Sequence, residues 1–74
     1  MERKEFKVVG KSVTMDAEFN CRTLLEAELQ YAKMKESGWY EKVYIMSNTT
    51  GELFKTYDIE IESGGVKVTE WYQM

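Results

Sequence analysis

Apolar and polar residues alternate at the start of the chain. Phe6, Val8, Val13 and Met15 are separated by Lys7, Lys11, Ser12 and Thr14. If Gly10-Lys11 is a two-residue turn of the Gly-X kind, Val8 faces Val13 and Phe6 faces Met15. The apolar residues then share one face, with Lys7 and Thr14 on the other. This predicts a short β-hairpin. The alternative is one longer strand bulged at Gly10.

The period then changes to that of a helix. Asp16 is a good N-cap, no glycine or proline interrupts residues 17–37, and Gly38 supplies a stop. The spacing predicts one amphipathic helix over 17–37. At 100° per residue Ala17, Cys21, Leu24, Ala27, Tyr31 and Met34 share one side, flanked by Leu25, Leu29 and Ala32. Arg22, Glu26, Gln30 and Lys33 lie opposite. Glu28 falls within the apolar arc, where its carboxylate finds a cation or hydroxyl partner, with Lys55 and a tyrosine as candidates, or lies at a gap in the core, or reaches solvent if the sheet covers only half the helix.

Two turn signals organise the remainder. Asn48-Thr49-Thr50-Gly51 suits a type I turn closed by a left-handed glycine, which sets Met46 opposite Phe54, Tyr44 opposite Thr56 and Lys42 opposite Asp58. Gly64-Gly65 reads as a two-residue turn that sets Glu62 opposite Lys67, Ile61 opposite Val68 and Tyr57 opposite Tyr72. The result is a three-stranded antiparallel meander. One face carries Val43, Ile45, Leu53, Tyr57, Ile59 and Ile61, with Val66, Val68 and Tyr72 beside them; the helix is expected across it. The other carries Thr56, Asp58, Glu60, Glu62, Lys67 and Thr69 at one end, and Tyr44, Met46, Phe54 and Trp71 at the other. The expected architecture is a single α+β domain over residues 1–74, in the order ββαβββ or βαβββ, with the helix packed on one sheet face.

Composition narrows the chemistry. At 74 residues the chain can build one small core, and domains of this size often add a disulfide, a metal or a partner subunit. Cys21 is the single cysteine and histidine is absent. That removes an internal disulfide and leaves poor zinc ligands, so self-association is the remaining aid. Without histidine, the usual general base and the Ser-His and Cys-His pairs are missing. Cys21 is expected in the core. Asp58, Glu60 and Glu62 line one open strand face, where nothing tunes their protonation. No glycine-rich loop leads into a helix to hold phosphate. No catalytic residue, metal site or cofactor site is expected.

The net charge is −3, from 13 acidic and 10 basic residues. The nearest basic run, Arg3, Lys4, Lys7 and Lys11, is broken by Glu2 and Glu5, which argues against phosphate binding. No segment has the length and apolarity of a membrane span, and the N-terminus lacks the apolar stretch of a signal peptide. A lone cysteine fits a reducing compartment, so a cytoplasmic location is expected. Asn48-Thr49-Thr50 is read as turn chemistry.

The remaining lead is aromatic. Tyr44, Met46, Phe54 and Trp71 lie on the outer sheet face, with Trp39 and Tyr40 extending them. Such patches commonly mark interaction sites. The expectation is a non-enzymatic protein-interaction module, an adaptor or inhibitor of a larger assembly. It would bind a protein partner or a second copy of itself. Alternatively the same aromatics, with Lys7, Lys11 and Lys67, would stack single-stranded nucleic acid; the nearby acids argue against it. Either reading requires that the N-terminal hairpin does not fold over this face.

Overall fold

The computed structural model describes residues 5–72, so Arg3 and Lys4 of the basic run lie outside the described residues. The fold is α+β, in the expected order ββαβββ. The elements are β1 (Phe6–Lys11), β2 (Asp16–Cys21), α1 (Leu24–Ser37), β3 (Lys42–Ser47), β4 (Leu53–Glu62) and β5 (Gly65–Tyr72). All five strands are antiparallel in one sheet, ordered β2-β1-β3-β4-β5.

The N-terminal hairpin is present, with its turn displaced from Gly10-Lys11. β1 runs straight through Gly10, and the loop is Ser12–Met15, where the Ser12 N–H donates to the Met15 carbonyl at 2.9 Å. The Ser12 hydroxyl accepts the Met15 N–H at 3.0 Å. β2 then pairs Phe6 with Cys21, Val8 with Phe19 and Gly10 with Ala17. Gly10 serves packing: a Cβ there would stand 2.7 Å from the Tyr40 ring and collide with the Met34 methyl. A glycine inside a strand often marks such a close approach.

The helix begins at Leu24, seven residues later than the period suggested. Residues 16–21 form β2 because Ala17, Phe19 and Cys21 alternate with Asp16, Glu18 and Asn20, and Phe, Asn, Cys and Asp are weak helix formers. The N-cap is Thr23, whose hydroxyl accepts the Glu26 N–H at 3.1 Å, while the Glu26 carboxylate accepts the Arg22 N–H at 3.1 Å. Gly38 ends the helix in the left-handed conformation, φ 73°.

Lys42 faces Asp58 and Tyr44 faces Thr56, as the turn signal implied. A bulge then intervenes. Ile45 faces Lys55 and Met46 faces Leu53, so Phe54 is an extra residue in β4. The last turn is Ser63-Gly64, and Glu62 faces Gly65. The turn thus sits one residue earlier than Gly64-Gly65, so β4 ends one residue sooner and β5 begins one residue sooner. Tyr57 faces Glu70 and Thr56 faces Trp71. The shift totals two residues, so the side chains from Lys55 to Tyr72 keep their expected faces, while the bulge exchanges those of Leu53 and Phe54.

α1 lies over β1, β2 and β3. The core is Val8, Cys21, Ala27, Tyr31, Met34, Val43 and Ile45. The hairpin β1–β2 extends the sheet sideways beyond β3 and leaves the outer face open. β3 starts at Lys42, and the Ile59 N–H donates to the Glu41 carbonyl at 2.8 Å at its end. Beyond that point β4 and β5 continue as a two-stranded arm, residues 59–68. The molecule is accordingly elongated, 49 × 27 × 18 Å. Among the described residues no helix is long and apolar enough to cross a membrane.

Candidate interaction surface

On the outer face Tyr44, Thr56 and Trp71 form one row across β3, β4 and β5. Met46 and Leu53 form the neighbouring pair. Trp71 is 48% exposed. Val9 lies between Glu18 and Tyr44 and is buried, with Lys7 paired to Glu18 at 3.1 Å. An open cleft of about 380 Å³ is lined by Lys11, Lys42, Tyr44, Met46 and Leu53.

The other expected members of the patch lie elsewhere. The bulge turns Phe54 to the helix side, where its ring meets Phe6 edge-on with centroids 5.6 Å apart, against the core. Leu53 takes the outward position instead. Tyr40 packs over Gly10. Trp39 is exposed on the β2 side of the helix, in an open groove of about 220 Å³ with Phe19, Lys33, Met34 and Tyr40. The structure therefore brings Tyr44, Met46 and Trp71 together and separates Phe54, Trp39 and Tyr40 from them.

The helix-side face presents a different surface. A seam of charged and aromatic groups joins the near flank of α1 to β4 and β5. The Lys35 ammonium and the Tyr72 hydroxyl both donate to the Glu70 carboxylate. Burial pushes the Glu70 carboxyl up, but the hydrogen bonds from Lys35 and Tyr72 outweigh it and hold the group below its usual range. The Lys35 ammonium is raised, chiefly by its bond to Glu70. The Lys55 ammonium lies 4.9 Å from the Tyr31 ring centre, 4.7 Å from that of Tyr72 and 4.0 Å from the Glu28 carboxylate. Glu28 thus lies beside Lys55, one of its candidate partners, and is also half exposed to solvent. The Tyr31 hydroxyl is buried and finds no hydrogen-bond partner among the described residues; burial, then the charge of Glu70, pushes its pKa up.

Past this seam the apolar face continues without cover. Ile61 is 83% exposed, Val66 64% and Val68 56%. On the helix Leu25 is 67% exposed and Leu29 58%. At 100° per residue Ala32 follows Lys35 and Glu28 around the helix, and Leu25 and Leu29 lie further round, roughly 150–170° from the buried Ala27, Tyr31 and Met34, on the side of the helix turned away from the sheet. The β4–β5 face is thus left open beside the Lys35 and Glu28 flank of the helix. The cause is geometric. Five strands about 4.8 Å apart make a sheet roughly 20 Å wide, and one helix about 10 Å across covers about half of it. The two turn signals revealed the arm's face; the missing cover required knowing that β1 and β2 widen the sheet.

The remaining candidates are dispersed. Cys21 ends β2, buried, and forms no disulfide. Asp58 faces Lys42 and Glu60 faces Lys67 on the outer side. Among the described residues no three His, Cys, Asp or Glu side chains converge as a metal site. No protein-family model, curated protein or solved structure matches the chain.

Proposed function

We propose that this chain is a small non-enzymatic protein-interaction module, an adaptor or inhibitor of a larger assembly, binding through the helix-side face of its β4–β5 arm. One observation carries the reading. Ile59, Ile61, Val66 and Val68 alternate with Asp58, Glu60, Glu62, Lys67 and Thr69, as in a strand with one buried face. Yet Ile61, Val66 and Val68 are exposed. Contiguous apolar surface of this kind on a small protein marks an interaction site. An isolated two-stranded hairpin is also only marginally stable in water, so the arm gains from a partner laid on it. The absence of histidine and the burial of Cys21 support binding over acid–base or nucleophilic chemistry. The single cysteine fits a reducing, cytoplasmic setting.

The test is retention of partners by the immobilised chain. Ile61→Lys should lose the proteins that the native chain retains, and Trp71→Ala should keep them. Equal retention by all three removes the arm as the binding surface.

A second reading uses the outer face. Lys11 and Lys42 border the cleft containing Tyr44, and Trp71 lies one row-position beyond Thr56. This pattern of bases and rings suits a single nucleic-acid strand. Phosphate binding must weaken steeply with salt, so salt-insensitive association excludes it.

A further inference from the structure

We propose that the outer edge of β2 receives an extended segment of another protein as an added antiparallel strand, one whose apolar residues alternate with basic ones. β2 and β5 are the two end strands of the sheet, so this site lies on the opposite side from the β4–β5 arm and stands independently of it.

The backbone carries the first half of the case. The Asn48 N–H donates to the Glu5 carbonyl at 2.8 Å, just before β1, on its β3 side. Bonded positions alternate along an antiparallel pair, so Lys7, Val9 and Lys11 turn their backbone groups to β3, while Phe6, Val8 and Gly10 turn theirs to β2. The Ser12 N–H bond to the Met15 carbonyl has the same parity. On β2 the partners are therefore Ala17, Phe19 and Cys21. The backbone groups of Asp16, Glu18 and Asn20 point away from the sheet. β2 pairs in unbroken register over six residues, and no proline, lysine or bulge blunts its edge.

The groove beside this edge carries the second half. Phe19 stands opposite Val8, on the helix side, and lines the groove of about 220 Å³ with Met34, Trp39 and Tyr40. Trp39 is 68% exposed and Phe19 43%. An apolar cavity of about 150 Å³ holds a benzene ring, so this groove admits one large apolar side chain. On an added antiparallel strand, the residue opposite Phe19 lies in the closely spaced kind of pair, and its side chain points to the helix side.

Charge distinguishes the two faces of the visitor. Asp16 and Glu18 line the outer face of β2, where Glu18 holds Lys7 at 3.1 Å and Asp16 forms no ion pair among the described residues. Lys33 lines the groove. The added strand thus meets acids beside its outward residues and a base beside its inward ones. Basic side chains suit the first position and apolar ones the second. Main-chain bonds then give affinity, and the groove gives specificity.

A short synthetic peptide of alternating lysine and leucine tests this on the purified chain. In Trp71→Phe the indole fluorescence reports Trp39 alone. Its emission should move to shorter wavelength and saturate as peptide is added. A leucine–glutamate peptide of the same length should bind at least about tenfold more weakly. Methylating the lysine amide nitrogens, which face β2, should abolish binding; methylating the leucine amides, which face away, should not. Glu18→Pro removes an outward N–H and leaves the bonds to β1 in place, so the chain should keep its circular dichroism and lose the peptide. Trp39→Ala should weaken binding by about tenfold in calorimetry. The absence of a saturable shift overturns the proposal, as do equal affinities for the two methylated peptides. Equal affinity for the glutamate peptide overturns the basic partner. If sedimentation shows the chain alone to be a dimer that Glu18→Pro dissociates, a second copy holds the edge and the proposal fails.

Discussion

Phe54 sets its ring edge-on to Phe6, with centroids 5.6 Å apart and planes at 64°, on the helix side of the sheet. A regular β4 would have pointed Phe54 outward beside Tyr44 and Trp71. The bulge between Ile45 and Met46 gives it to the core instead. Phe54→Ala should therefore destabilise the fold by about 2 kcal/mol, less than a fully buried phenylalanine because the ring is only half-buried. Trp71→Ala should stay within about 0.5 kcal/mol. Urea unfolding of the two variants, below the concentration of any association, measures the difference; the reverse order would contradict the bulge.

Gly10 predicts a second asymmetry. An alanine there meets the Met34 methyl and, at 2.7 Å, the Tyr40 ring. Gly10→Ala should cost about 1–3 kcal/mol by overpacking, although alanine suits a strand at least as well as glycine. Met34→Ala in the same chain should recover part of that cost, a coupling read from the double-mutant cycle in thermal or urea unfolding.

The helix start gives a third. Thr23→Ala removes the hydroxyl that accepts the Glu26 N–H and should cost about 1 kcal/mol. Asp16 lies at the exposed first position of β2. Asp16→Ala should change stability by less than about 0.5 kcal/mol. If Asp16 capped a helix over 17–37, the two effects would exchange places in the same unfolding measurement.

The Lys35–Glu70 pair makes stability depend on pH in a definite direction. Glu70 titrates below the usual carboxylate value of about 4.3, so its contribution is present above that pH and is lost as pH falls through the lower folded value. Lys35 is raised, so its contribution is present below about pH 10.4 and is lost as pH rises through the higher folded value. Native chain should exceed Glu70→Gln in melting temperature across the neutral range. The gap should close below about pH 4 and again in strong alkali. A gap constant from pH 3 to pH 7 would rule out the pair as its cause.

The parts of the fold that were legible are those governed by parity and turn chemistry. Tyr44 and Trp71 fall on the outer face whichever of two adjacent turns closes the last hairpin, because the registers differ by two residues. The aromatic patch was misjudged at Phe54 because one bulged residue inverts everything beyond it, and no residue type there announces the bulge. Residues 16–21 fit both periods. Ala17 and Cys21 are four apart, as on a helix, and Ala17, Phe19 and Cys21 also alternate, as in a strand. The signal that separates the two readings, absent from the periodicity, is Thr23-Leu24-Leu25-Glu26, a capping-box spacing that places the helix start after Cys21. The open arm was visible as a face of Ile59, Ile61, Val66 and Val68, but its lack of cover follows from sheet width, which depends on pairing between β1 and β3.

Hydrogen exchange of the arm tests the central claim most directly. If the bare helix-side face of residues 59–68 is an interaction surface, amides from Val66 to Thr69 should exchange more slowly once a retained protein is bound, and Ile61→Lys should abolish that protection. Exchange at one rate with and without the retained protein, in native chain and variant alike, would contradict the account.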